Sequence, residues 1–145
     1  MALGYLLEHT AMPKTLTLTA AFATYDAELV NARWAFSSIA RDGSLVISCW
    51  NHYLKKFTDG HQRYEDRLSR WTANTPGKQL LIEHLQLAVA KNLPVRMVVA
   101  TLEDPRERMN DDASALRKTF AVYRNMVGKV VEYDGDFFAI DFHPA

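Results

Sequence analysis

The sequence predicts an α+β domain: a small, strongly curved antiparallel or mixed β-sheet or barrel with one main helix and short helical turns. Three observations carry the prediction. Two turn signals, Arg41-Asp42-Gly43 and Asp134-Gly135, each sit between strand-like runs, which is the mark of a hairpin. Val95 to Thr101 (VRMVVAT) is a mostly apolar, β-branched run that suits a central strand covered on both faces. The strongest set of helix signals lies on Pro76 to Asn92.

Taken in order, residues 1–14 are mixed, with Pro13 near their end, and read as a loosely attached lead-in to one domain over 15–145. Thr15 to Phe22 is ambiguous, because Leu16 and Leu18 alternate with threonines while the alanines favour helix. Asp26 could cap a turn over Ala27–Val30. Arg33 to Ile39 and Leu45 to Trp50 then form a hairpin. A two-residue loop, Asp42-Gly43, would pair Ala35 with Trp50 and put Trp34 on the other face. A three-residue loop, Arg41-Asp42-Gly43, would pair Trp34 with Trp50, and the sequence leaves both registers open. Residues 51–76 are polar and aromatic, with a short helix expected over His61–Trp71 and a long loop elsewhere. Thr75 is an N-cap for the main helix, with Pro76 in the first position and Leu81, Leu85 and Ala88 on one face. Asn92 closes it and Pro94 stops it. Glu103 to Ala115 reads as a charged loop. Thr119–Arg124, Lys129–Tyr133 and Asp136–Phe142 read as strands, giving five or six in all.

Bulk properties exclude more than they assign. The chain has 145 residues, 48% of them hydrophobic, and a formal net charge of zero. Its length fits one domain, and its composition supports a real core. A neutral chain is not one whose whole surface is a nucleic-acid or membrane footprint, although a local basic patch is compatible with it. Neutrality also favours self-association, so a homodimer is a competing expectation. The single cysteine, Cys49, rules out an internal disulfide framework and a multi-cysteine zinc site. His9, His52, His61, His84 and His143 show no metal-ligand spacing, and neither metal nor cofactor is expected. No apolar run reaches membrane-spanning length, and Met1–Met12 lacks the pattern of a signal peptide. The expected location is the cytoplasm, with no membrane partner.

Chemistry concentrates in the middle of the chain. Trp34, Phe36, Trp50, Tyr53, Phe57, Tyr64 and Trp71 fall close together in sequence. Such rings either fill a core or stack on flat ligands such as bases. Asn31 and Asn51, with Ser37, Ser48 and Asn74, are nearby in sequence and could supply hydrogen bonds to a base edge. Lys55, Lys56, Arg63, Arg67 and Arg70 form a local basic excess; a helix over 61–71 would align the three arginines, as phosphate contacts or as a solvated face. Cys49 with His52, or a cluster of His52, His61 and Asp59, would instead suggest a small hydrolase or transferase. The Cys49 strand face is apolar, and a buried thiol is inert.

The pattern Asn31-x-Arg33-Trp34-x-Phe36, then Asp42-Gly43, then an apolar strand ending at Trp50, resembles bacterial domains of the PUA-like group, which includes EVE and YTH modules. The resemblance continues through Trp71-x-x-Asn74-x-Pro76-Gly77, the helix with Leu85 and Ala88, and Val95–Val99. It spans residues 31–101. Ala35 and Phe36 depart from the serine and second tryptophan of those domains. The resemblance implies a small curved sheet with a pocket for a modified or flipped base. Trp34 and Trp50 would wall that pocket and Trp71 would complete it. The expected function is then non-catalytic recognition of a base in DNA or RNA, with no enzymatic step. The alternatives are a homo-oligomeric interaction protein, or an enzyme using Cys49 or His52/His61.

Overall fold

The computed structural model describes residues 16–104, 106 and 116–145. The lead-in expected over 1–14 and most of the charged loop 103–115 lie outside them. Within the ambiguous N-terminal stretch, Leu18–Ala23 forms helix α1, with Thr17 as N-cap accepting the Ala20 N–H at 3.0 Å, while Leu16 makes an isolated antiparallel bridge to Phe120. Asp26 caps no helical turn; it adopts a left-handed conformation (φ 57°) just after α1.

The strands are β1 (Ser37–Ile39), β2 (Leu45–Trp50), β3 (Leu54–Lys56), β4 (Gln62–Arg67), β5 (Val95–Leu102), β6 (Lys118–Val122), β7 (Met126–Tyr133) and β8 (Phe137–Pro144). They form one mixed sheet in the order β1-β2-β5-β7-β8-β4-β3, with β6 pairing β5 beyond the point where β7 leaves it. Among the described residues the sheet ends at β1 and β3 and does not close, so the barrel expectation is corrected to an open mixed sheet with α+β architecture. The β2–β5 pair is parallel, and the other ladders are antiparallel.

Helix α2 (Pro76–Lys91) has the expected ends. The Thr75 side chain accepts the Lys78 N–H, and Asn92 closes the helix in a left-handed conformation (φ 55°). Its Leu81, Leu85 and Ala88 share a core cluster with Leu45, Ile47 and Cys49 of β2 and with Val95, Met97 and Val99 of β5, which alternate along their strands. The even-numbered Val46 and Val98 pack instead with Ala21 and Phe22 of α1. Strand β5 is therefore covered on both faces, as its apolar run predicts.

Where α2 meets β1, Ser37 Oγ and His84 Nδ1 hydrogen-bond at 2.8 Å. Burial holds the His84 pKa below its ordinary value, so the folded protein takes up this proton less readily than the unfolded chain. Stability from this group is complete above the unfolded pKa of about 6.5 and is lost as pH falls through the lower folded value. Thermal melts from about pH 7 to about pH 5 should show a smaller fall in Tm for His84→Gln than for wild type. Identical pH profiles would contradict the assignment.

The hairpin takes the three-residue loop: Ile39 pairs with Leu45, and the Ala40 N–H donates to the Ser44 carbonyl. The expected strand Arg33–Ile39 is shorter, however. The Ser48 N–H donates to the Phe36 carbonyl, the last backbone contact before the chain turns away. Asn31–Trp34 folds as a turn closed by Ala35 N–H to Asn31 O (2.9 Å), with Asn31 Oδ1 accepting the Arg33 N–H. Trp34 therefore projects from a turn, not from a strand.

The segment 51–76 departs most from expectation. The predicted helix over His61–Trp71 is instead strand β4 followed by a 3-10 turn at Leu68–Arg70, and β3 pairs with β4 across an Asp59-Gly60 turn. The strand alternates: Tyr64 and Asp66 are buried, while Arg63, Glu65 and Arg67 face outward.

Candidate functional site

A cleft of about 760 Å³ is lined by residues of β2, β5, β6 and α1. At the two-residue strand period, Ser48 and Trp50 follow Val46, and Ala100 and Phe120 sit beside them across the ladders. These four residues contribute to its floor. Leu18 of α1, the turn residues Arg33 to Phe36, and Trp71 with Thr75 form its walls. Glu103, Arg117 and Lys118 also line it.

Trp34, Trp50 and Trp71, the only tryptophans of the chain, all line this cleft. Trp34 is the most open of them, at 38% exposed. Trp50 is 9% exposed and packs with the core. Trp71 lies parallel to Phe36 (centroids 5.4 Å, interplanar angle 7°) and carries the Arg70 guanidinium 3.9 Å from its ring centre. Its carbonyl accepts the Lys78 ammonium at 2.9 Å, which ties the loop to α2. With Trp71 engaged by Phe36 and Arg70, Trp34 is the ring best placed to take an incoming flat group.

Polar groups hold the walls from behind. The Tyr64 hydroxyl accepts the Trp50 N–H and donates to Asp66 Oδ2, both at 3.3 Å. Burial and the Asp66 charge push the Tyr64 phenol well above its ordinary pKa, so it stays protonated. Asp66 also accepts two hydrogen bonds from Arg70, at 2.8 and 2.7 Å. Burial works against the Arg70 charge, but the Asp66 hydrogen bonds and charge outweigh it and raise the Arg70 pKa.

The residues expected to hold a base divide accordingly. Trp34, Phe36, Trp50 and Trp71 meet in the cleft; Asn31 and Asn51 do not line it. Asn31 closes its own turn, and Asn51 begins the short 3-10 turn before β3. Of the expected phosphate contacts only Arg70 reaches the cleft. Without the helix over 61–71, the arginines have no common helical face. Arg63 forms a bidentate pair with Asp141 on β8 (2.6 and 2.9 Å), which raises its pKa and lowers that of Asp141. Lys55 pairs with Glu65 at 2.7 Å, Lys56 lies on β3 beside it, and Arg67 bonds Asp136. Sequence reading missed Arg33, Glu103, Arg117, Lys118 and Phe120 as cleft residues, and had Tyr64 only as one of the clustered aromatics. The alternation in Lys118-Thr119-Phe120 places the first and third on one face, but nothing local says that this face meets Trp50.

The residues of the two enzymatic alternatives are placed as follows. Cys49 is fully buried, and burial together with the Asp66 charge raises its thiol pKa well above normal, the reverse of an activated nucleophile. Asp59 and His61 meet at 3.4 Å in the β3–β4 hairpin, whereas His52 packs on Trp50 and Tyr53. Among the described residues no group of acidic, histidine or cysteine side chains could hold a metal, and no helix is long and apolar enough to cross a membrane. Comparison with protein-family models, curated proteins and solved structures returns no match.

Proposed function

We propose that this chain is a PUA-like reader of nucleic acid that takes one unpaired or flipped base into the tryptophan-lined cleft and performs no chemistry on it. The observation that carries the reading is the convergence of all three tryptophans on one cation-lined cleft of about 760 Å³ in a chain of zero net charge. That volume lies within the range of about 300–1,000 Å³ usual for small-ligand sites. Stacking one base on an aromatic ring is worth about 1–3 kcal/mol. Ser48, Thr75 and Glu103 supply polar atoms for a base edge. Arg33, Arg117 and Lys118 supply the cations for the flanking phosphates, in place of Lys55, Lys56, Arg63 and Arg67.

Fluorescence anisotropy with a labelled, mixed-sequence single-stranded oligonucleotide tests this. The expected result is salt-dependent binding, with the log of affinity falling by about 0.7 per phosphate contact for each log unit of salt. An otherwise identical oligonucleotide with abasic central positions should bind at least about 5-fold more weakly, the lower limit for one lost stack. Equal affinity for the intact and abasic strands would refute a base-binding cleft.

A further inference from the structure

We infer that Asp66 is the positioning residue of this cleft, and that the ligand reads the orientation of the Arg70 guanidinium rather than its charge alone. The inference rests on the base-binding reading. Asp66 is itself absent from the cleft lining, and its side chain is only 4% exposed. It takes Arg70 Nε on one oxygen and Nη2 on the other, which fixes the plane of the fork. That fork then lies over the Trp71 ring at the cleft wall, with the Tyr53 ring 5.4 Å from the same guanidinium carbon.

The same carboxylate accepts the Arg67 N–H at 2.8 Å and the Tyr64 hydroxyl, which holds the Trp50 backbone. One buried group thus sets both a cation and an aromatic wall of the cleft. A planar guanidinium fixed in this way can stack on a base or donate to its edge, which a lysine ammonium at the same place cannot reproduce.

The sign of one substitution separates orientation from charge. Asp66→Asn removes a negative charge beside an anion-binding cleft, so charge alone predicts tighter binding. Positioning predicts weaker binding, because the fork is released. With the intact and abasic oligonucleotides described above, Asp66→Asn and Arg70→Lys should each weaken intact-strand binding by about 10-fold, the scale of one lost charged hydrogen bond. Abasic-strand binding should stay unchanged or tighten. The double variant should lose no more than the worse single variant, because both act through one fork. Intact-strand affinity that is equal or tighter in Asp66→Asn, or parallel losses for both strands, would overturn the inference. If Asp66→Asn fails to fold, Arg70→Lys still decides: it keeps the charge and loses the fork, so undiminished intact-strand affinity overturns the inference. These failures leave the wild-type preference for bases standing. A wild type without that preference removes the cleft reading itself, and this inference with it.

Discussion

Trp34→Ala is expected to weaken oligonucleotide binding by about 5- to 150-fold, the equivalent of one base–ring stack, with Tm shifted by no more than about 4 °C. The asymmetry follows from position. Trp34 projects from the Asn31–Trp34 turn and is 38% exposed, so truncation leaves no cavity in the core. Trp50 differs: its ring is almost wholly buried and its backbone is held by the Tyr64 hydroxyl. Trp50→Ala should cost about 3–5 kcal/mol of stability, as aromatic truncations in cores do. A loss of binding in that variant would confound folding with recognition. Melting curves alongside anisotropy separate the two variants. Unchanged affinity in Trp34→Ala would remove its ring from the site.

Gly77→Ala should destabilise the protein by about 1–3 kcal/mol and lower Tm by roughly 3–15 °C, against the usual gain from replacing glycine in a helix. Gly77 lies in the first turn of α2, where the helix start runs against the Trp34–Phe36 segment. An added Cβ would meet the Trp34 carbonyl oxygen and stand 2.8 Å from Phe36 Cε1. The first obstacle is backbone, which cannot rotate away as a side-chain tip can. The turn carrying Trp34 must move off the helix, and the Phe36–Trp71 stack must open with it. Oligonucleotide affinity should therefore fall together with Tm. A higher Tm with intact binding would show that helix propensity outweighs this contact.

The parts of the fold legible in the sequence are those set by local signals. Thr75, Pro76 and Asn92 delimit α2 because capping and left-handed closure depend on neighbours a few residues away. Val95–Thr101 announces a doubly covered strand by carrying apolar residues at both alternating positions, with only Arg96 and Thr101 polar. The turn at Asp134-Gly135 is equally local, with Asp134 Oδ1 accepting the Asp136 and Phe137 N–H groups. Strand β4 was hidden for a physical reason. Its inward positions are Tyr64 and Asp66, and a buried carboxylate paired with Arg70 looks like surface. The spacing of Arg63, Arg67 and Arg70 then imitates a helix face.

The site follows the same division. The types of its walls were visible in Trp34, Phe36, Trp50 and Trp71. Their convergence depends on a three-residue hairpin loop, on the parallel pairing of β2 with β5, and on the pairing of Ala100 with Phe120. The last of these brings Arg117 and Lys118 to the cleft from far along the chain, which no local pattern encodes. The arginine at the end of the proposed stripe, Arg70, does reach the cleft, but it does so from a 3-10 turn and through Asp66.

Intrinsic tryptophan fluorescence tests the central claim most directly, because all three tryptophans line the cleft and no other indole contributes. Titration with the unlabelled single-stranded oligonucleotide should produce a saturable change in emission, with a midpoint matching the anisotropy Kd. The strand with abasic central positions should produce a much smaller change. Binding by anisotropy without any change in tryptophan emission would place the nucleic acid elsewhere on the molecule and contradict the account.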